Sequence, residues 1–220
     1  MLVAMEPLPL DPGTYQGTYK LVGGELSLDF VNTVSWPGTG REHDWFDRPE
    51  NVTLWAAEVH LIDDVVRHDF EESMSREVAR WARELQALRD IRGALRDAIS
   101  PLAHEGFPDR QSIDRVNRLL DRAGRRRSID PTSLEWSWPA PANLTEMIDP
   151  VVWNAGDVLT RIDRSRLRYC PSCDWLFHDT TRNRSRRWCD MRDCGSRDKA
   201  LRYYHRRKPS AATSQSSPNE

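Results

Sequence analysis

Arg168-Tyr169-Cys170-Pro171-Ser172-Cys173 and, after a spacer of fifteen residues, Cys189-Asp190-Met191-Arg192-Asp193-Cys194 contain all four cysteines of this 220-residue chain. Two close pairs joined by a short spacer suit a tetrahedral thiolate site, because each pair closes a tight knuckle and the spacer brings the knuckles together. The residues from Met1 to Gly13 show neither the cationic start nor the apolar run of a signal peptide, and no later window has the roughly 20 apolar residues of a membrane span. A cytoplasmic location is therefore expected, where thiols stay reduced. The cysteines read as ligands of one structural Zn2+ rather than as disulfides.

The charge around them is uneven. Residues 166–208 carry 13 Lys and Arg against 5 Asp, a balance of +8, whereas the whole chain is −2, which leaves −10 elsewhere. A metal-stapled segment this basic has its natural partner in a polyanion, where neutralised phosphates supply most of the sequence-independent affinity. The expectation is a small nucleic-acid-binding module on a larger acidic domain.

Within the module, Trp175-Leu176-Phe177-His178-Asp179 alternates like a strand and Thr180 to Ser185 is polar and turn-prone. This predicts that the spacer folds as a hairpin with Trp175 and Phe177 packed over the metal, as so small a module has no other core. Gly195 to Lys208 has no breaker and predicts a helix. Lys199, Arg202 and Arg206 fall within ~60° of one another on one side of it, with Leu201 and Tyr204 opposite, facing the zinc site. Arg182, Arg184, Arg186 and Arg187 form a second cationic cluster. Together with Arg197 and Arg207 these are the candidate nucleic-acid contacts, although the phase of Arg197 suits a structural hydrogen bond equally well. His178 and His205 are spare imidazoles.

The longer part of the chain reads as mainly helical. Leu26 to Val34 is apolar and is read as a helix, and Ser35 to Pro49 as an irregular loop holding Trp36 and Trp45, which plug the core edge. Asn51 or Thr53 caps a predicted helix to about Arg67, with Leu54, Ala57, Leu61 and Val65 on one side. His60, Asp64 and His68 would share one of its faces, a solvated stripe rather than a metal site. Met74, Val78, Trp81, Leu85, Leu88, Ile91, Leu95, Ile99 and Leu102 predict one long amphipathic helix to Pro101. Asp109 opens a third helix, closed by Gly124. Residues 125–138 predict a hairpin turning at Asp130-Pro131, and Asp149-Pro150 opens a last helix leading to the module. The tail from Pro209 to Glu220 is Ser-, Ala- and Pro-rich.

Catalytic signatures are missing: there is no phosphate-cradling glycine loop, nucleophile elbow or His-Glu-x-x-His run, and the chain is read as a non-enzyme. Asp29, Asn32, Trp36 and Trp138 are offered as a ligand site, being polar or aromatic positions in apolar or loop contexts.

The run Arg168-Tyr169-Cys170, Trp175 to Asp179 and Ser185 to Lys199 resembles the CGNR zinc finger family. Gly23-Gly24-Glu25-Leu26 with Leu28-Asp29-Phe30-Val31-Asn32-Thr33 resembles the start of the ABATE domain, which precedes that finger in stress-induced transcription regulators of bacteria. The resemblance implies zinc on the four cysteines, DNA binding by the finger and an α+β N-terminal domain. Ser196 stands where the family signature has Asn. The resulting expectation is a flexible leader over 1–14, a mainly helical α+β domain with a small hairpin over 15–165, a treble-clef-like or ribbon-like finger ending in a helix over 166–208, and a disordered tail over 209–220. Its function would be regulation of transcription on duplex DNA, with a small-molecule effector or a homodimer as the business of the larger domain. The rival is a zinc-stabilised module for RNA or protein.

Overall fold

A computed structural model of the chain describes residues 6–15 and 17–207, with the backbone alone at His205 and Arg207. The expected tail over 209–220, the side chain of Arg207 and the start of the leader lie outside the described residues. Over Leu8 to Asp11 the leader is tied down rather than loose: Leu8 N donates to Tyr19 O at 2.9 Å, Leu10 is buried, and Asp11 N donates to Asn51 Oδ1 at 3.0 Å.

Gly23 and Gly24 end this first extended stretch. A Cβ on Gly23 would lie 2.8 Å from the backbone nitrogen of Asp29, and Gly24 adopts φ +81°. Helix α1 (Leu26–Val31) follows, then the short antiparallel strands β1 (Val34–Ser35) and β2 (His43–Asp44), with Val34 opposite Asp44. Pro49 opens α2 (Pro49–Glu58), where its missing N–H costs nothing. Asp63 caps α3 (Asp64–Arg76) by accepting from Val66 N at 2.8 Å. Next come α4 (Val78–Ala103) and α5 (Arg110–Arg126), the latter capped by Asp109. A hairpin of β3 (Ser128–Ile129) and β4 (Trp136–Ser137) leads to α6 (Leu144–Met147) and α7 (Asp149–Arg161). A 3-10 turn (Arg164–Arg166), the hairpin β5 (Leu167–Tyr169) and β6 (Leu176–His178), and α8 (Cys194–Arg207) complete the chain. The architecture is α+β and mainly helical, with small two-stranded sheets.

Helix α4 is the central element, touching α1, α2, α3, α5, α6 and α7. Phe30, Trp45, Phe46, Trp55, Leu88, Leu95 and Ile99 fill the space around it. Arg92 of α4 is also buried, and its guanidinium grips both oxygens of Asp44 at 2.6 and 2.7 Å, fixing the β1–β2 hairpin on the helix. No helix among the described residues is long and apolar enough to cross a membrane.

Two helical expectations need correction, and one short helix was not expected. The helix predicted to run to Arg67 stops at Glu58, because His60 takes φ +61° and Asp63 starts a new helix. His60 therefore never shares a face with Asp64 and His68, and Val65 is exposed. The long helix from Met74 is broken at Glu77, a turn that brings Trp81 against Phe70 at 5.3 Å between ring centroids and lets Trp81 Nε1 donate to Ser73 Oγ at 3.1 Å. Helix α6, capped by Asn143, went unread ahead of Asp149-Pro150.

Candidate metal centre and nucleic-acid interface

Strands β5 and β6 pair antiparallel with Tyr169 opposite Leu176, so the first cysteine pair forms the tip of a hairpin. Asp174, at φ +62°, closes the knuckle: its N–H reaches Cys170 O at 2.8 Å while Cys170 N reaches Trp175 O at 2.8 Å. The second pair lies where the chain enters α8. There Asp190 holds the loop, its carboxylate accepting from Arg192 N at 2.8 Å and its carbonyl from Gly195 N at 3.0 Å. A Cβ on Gly195 would lie 2.7 Å from Sδ of the half-exposed Met191, so that side chain would have to shift to admit one. Ser196 uses its hydroxyl locally, donating to Met191 O at 3.4 Å.

The four sulfurs converge. All lie within 4.8 Å of one another, with Cys173 to Cys189 at 3.4 Å and Cys189 to Cys194 at 3.6 Å, and all four residues are buried. Zn–S bonds of about 2.3 Å in a tetrahedron place sulfurs about 3.8 Å apart, which this set brackets. Thiol contacts from its neighbours hold Cys170 below the ordinary thiol range, and the same contacts together with burial push Cys173 and Cys189 above it. Four crowded buried thiols cannot all ionise alone, and a divalent cation reverses that preference. The donor set fits one structural zinc ion held by Cys170, Cys173, Cys189 and Cys194, which together fill its four tetrahedral positions and leave none open for a reactive water.

The sequence model of the CGNR zinc finger matches residues 166–207, and that of ABATE, described as "Putative stress-induced transcription regulator", matches residues 24–162. This chain belongs to the ABATE family. No curated protein matches it. The two matches follow one another in the order expected, and both families are of regulator or zinc-finger type rather than enzymes.

In this ABATE protein the finger's core continues into the larger domain, contrary to the expectation that Trp175 and Phe177 serve the metal alone. Both rings join one continuous core with Tyr19, Phe30 and Val31. Trp175 Nε1 donates to Ser35 Oγ at 3.1 Å. Nor does the spacer fold into its own hairpin: β6 pairs back onto β5, and 179–188 is held by Asp179, which accepts from Thr181 N at 2.9 Å and Arg186 N at 3.0 Å.

The four proposed ligand-site residues do not form a pocket. Asp29, Asn32 and Trp36 lie along the seam between the ABATE domain and the finger, and their polar atoms are already used. Asp29 Oδ1 accepts from Gly23 N at 2.7 Å. Asn32 exchanges two 2.8 Å hydrogen bonds with the backbone of Leu176. Trp36 Nε1 donates to Ser172 O at 2.8 Å. Trp138 is elsewhere, donating to Ala123 O at 3.3 Å. Burial pushes the Asp29 carboxyl up to about 7, against the opposing pull of the Gly23 and Val22 N–H groups and of Arg186. Arg96 and Lys20 complete the seam through Asp174 at 2.7 Å and Asp190 at 2.8 Å, contacts that no local pattern in the sequence could announce.

The cations divide into two kinds. Arg186 faces inward, donating to Val22 O at 2.9 Å and to Cys189 O, with its guanidinium over Phe177. Arg197 pairs with Asp193 at 2.9 Å, Arg202 with Asp198 at 2.7 Å and Arg184 with Asp163 at 3.4 Å, so the clusters are partly offset by acids, unlike the sequence reading. Arg182, Arg187, Lys199 and Arg206 are exposed with no ion pair among the described residues. Leu201, expected against the zinc site, is 53% exposed, and Tyr204 59%, so α8 projects from the finger instead of lying on it.

Proposed function

We propose that this protein is a DNA-binding transcription regulator whose finger engages duplex DNA mainly through phosphates. The observation that carries this reading is the set of exposed cations, Arg182, Arg187, Lys199 and Arg206, on a frame immobilised by the metal and by the seam. A rigid frame presents charges with little ordering cost on binding, and a polyanion relieves their mutual repulsion. The description of the ABATE family as transcription regulators supports it.

The regulatory input falls to the ABATE domain, as a small-molecule effector or a second copy of the chain. The space suited to an effector is an apolar cavity of about 310 Å³ between α4, α5 and α7, lined by Leu102, Val116, Leu120 and Leu159, with Arg164 also in its lining.

Fluorescence anisotropy with labelled duplex DNA over a salt series tests the reading. Four released phosphate counterions give a log–log slope of roughly −3 to −4. Absence of binding at low salt, or binding indifferent to salt, overturns it.

A further inference from the structure

Between the C-terminal end of α4 and the finger lies a cavity of about 620 Å³ whose lining includes Arg168, Arg184, Arg186 and Arg187 against one carboxylate, Glu105. The Arg186 guanidinium is spent on the interior, as described above, which leaves three. Arg168 lies on β5 opposite Phe177 and has no ion pair among the described residues. Arg184 is braced by Ser165 Oγ at 2.7 Å and pairs with the half-exposed Asp163 at 3.4 Å, with 49% of its own side chain exposed, so a phosphate would share it with that carboxylate. Arg187 lies over the Trp188 ring, its guanidinium carbon 5.1 Å from the centroid. On the cavity wall Tyr169 stacks on His104 of the ABATE domain, with centroids 4.0 Å apart and planes 29° apart. Tyr169 is 40% exposed.

Guanidinium groups around a concavity match phosphate geometry. An exposed aromatic platform in a cationic groove offers a base a stacking surface, the combination by which proteins hold unpaired strands. A closed duplex keeps its bases stacked inside, so this platform can be reached only by a base outside the helix. We propose that the cavity seats one unpaired nucleotide of a bound DNA strand, its phosphate among Arg168, Arg184 and Arg187 and its base against the Tyr169–His104 stack. The inference rests on the reading of the finger as DNA-binding and makes His104, at the end of α4, part of the interface.

The test uses the zinc-loaded full chain and two labelled DNA hairpins, each closed by a non-nucleotide ethylene glycol linker in place of a loop, one fully paired and one with a single unpaired thymidine in the stem. The parent binds the interrupted hairpin about tenfold more tightly. Tyr169→Ala and His104→Ala each reduce that preference while leaving affinity for the paired hairpin, and Tyr169→Phe retains it. Zinc content and melting temperature establish that each variant is folded, and the two substitutions on separate elements give independent readings. Equal affinity of the parent for both hairpins, or a preference that survives both alanine variants, overturns the cavity assignment and leaves the DNA reading standing. Failure to bind either hairpin overturns the DNA reading as well. Displacement of the interrupted hairpin by thymidine monophosphate at matched phosphate concentration assigns the cavity to a free nucleotide and overturns the strand.

Discussion

The two halves of the metal centre are held in different ways. The Cys170–Cys173 knuckle is built into the protein: Trp36 donates to Ser172 O and, through its backbone, to Cys173 O at 3.2 Å, Arg96 grips Asp174, and Asn32 locks the adjacent strand. The Cys189–Cys194 knuckle is tied to the N-terminal part of the chain chiefly by Lys20 to Asp190 and by Arg186 to Val22 O, and the helix that follows leaves Leu201 in solvent. These contacts hold the first half without the metal's help and give the second fewer such ties, so we expect the first to be in place before metal arrives and the second to be positioned by it. Zinc therefore acts less as the core of an autonomous module than as the clasp that fastens α8 and its cations to an already folded body.

The strongest way to break this contrast is Cys189→Ser. Losing one of four thiolates weakens a structural zinc site whose total binding free energy is about 10–16 kcal/mol, and leaves an open position in it. Hydrogen exchange resolved by segment should then show residues 189–204 exchanging as open chain while 167–178 stay protected by β5–β6 pairing and the seam. Equal loss of protection in both segments would mean that the first knuckle also depends on the ion.

Asn32→Ala sharpens the same contrast from the other side. It leaves both the N–H and the C=O of Leu176 buried without a partner, which costs about 2–4 kcal/mol. Lys20→Ala removes only a partly exposed ion pair on the second half, worth below about 1 kcal/mol. Chemical denaturation of zinc-loaded protein should rank the two variants in that order, and the reverse order would place the main attachment at the second knuckle.

What the sequence disclosed follows from how local each feature is. Cysteine spacing, the Asp109 cap and the proline at the start of α7 act within a few residues, so the zinc ligands and most helices could be read directly. The break at Glu77 could not, because the apolar period continues through it and it is the tertiary packing of Trp81 against Phe70 that accompanies the turn. Neither could the seam. Asn32 and Trp36 are legible as unusual polar or aromatic positions, but their partners are backbone atoms more than 130 residues away, and a lone sequence offers no signal for such contacts. The reading of both as ligand contacts mistook polar groups that join two parts of the protein for groups awaiting a ligand. Arg186 shows the same limit: its neighbours in sequence are cations, yet it is spent on carbonyl oxygens of the interior.

Asp29 offers a pH-dependent probe of the seam. Its carboxyl is pushed up by burial to about 7 in the folded chain, against about 3.9 in an unfolded one. Between those values the folded state binds more protons, so this group's contribution is fully present below about pH 4 and declines as pH rises through about 7, by up to about 1.4 kcal/mol per unit. Arg186 and Glu25 face it with opposite effects and are unchanged by the substitution. Asp29→Asn should remove the slope, so its stability relative to the parent rises by about 1 kcal/mol between pH 6 and 7 and levels off above pH 8. Parallel stability curves for the two proteins would place the seam carboxylate in contact with solvent.

The smallest effect is expected at Leu201, and its smallness is the informative part. If α8 lay with its apolar side on the zinc site, as helical phase alone suggests, Leu201→Ala would open a cavity and cost about 2–5 kcal/mol. With the side chain 53% exposed, the same substitution should fall within about 0.5 kcal/mol of the parent by thermal melting. Zinc affinity should be equally indifferent, because no atom of Leu201 helps position Cys194 at the start of the same helix. A measured loss above about 1 kcal/mol would return α8 to the body of the finger, restrict the directions in which Lys199 and Arg206 can point, and remove the distinction between a knuckle built into the core and one held on by its metal.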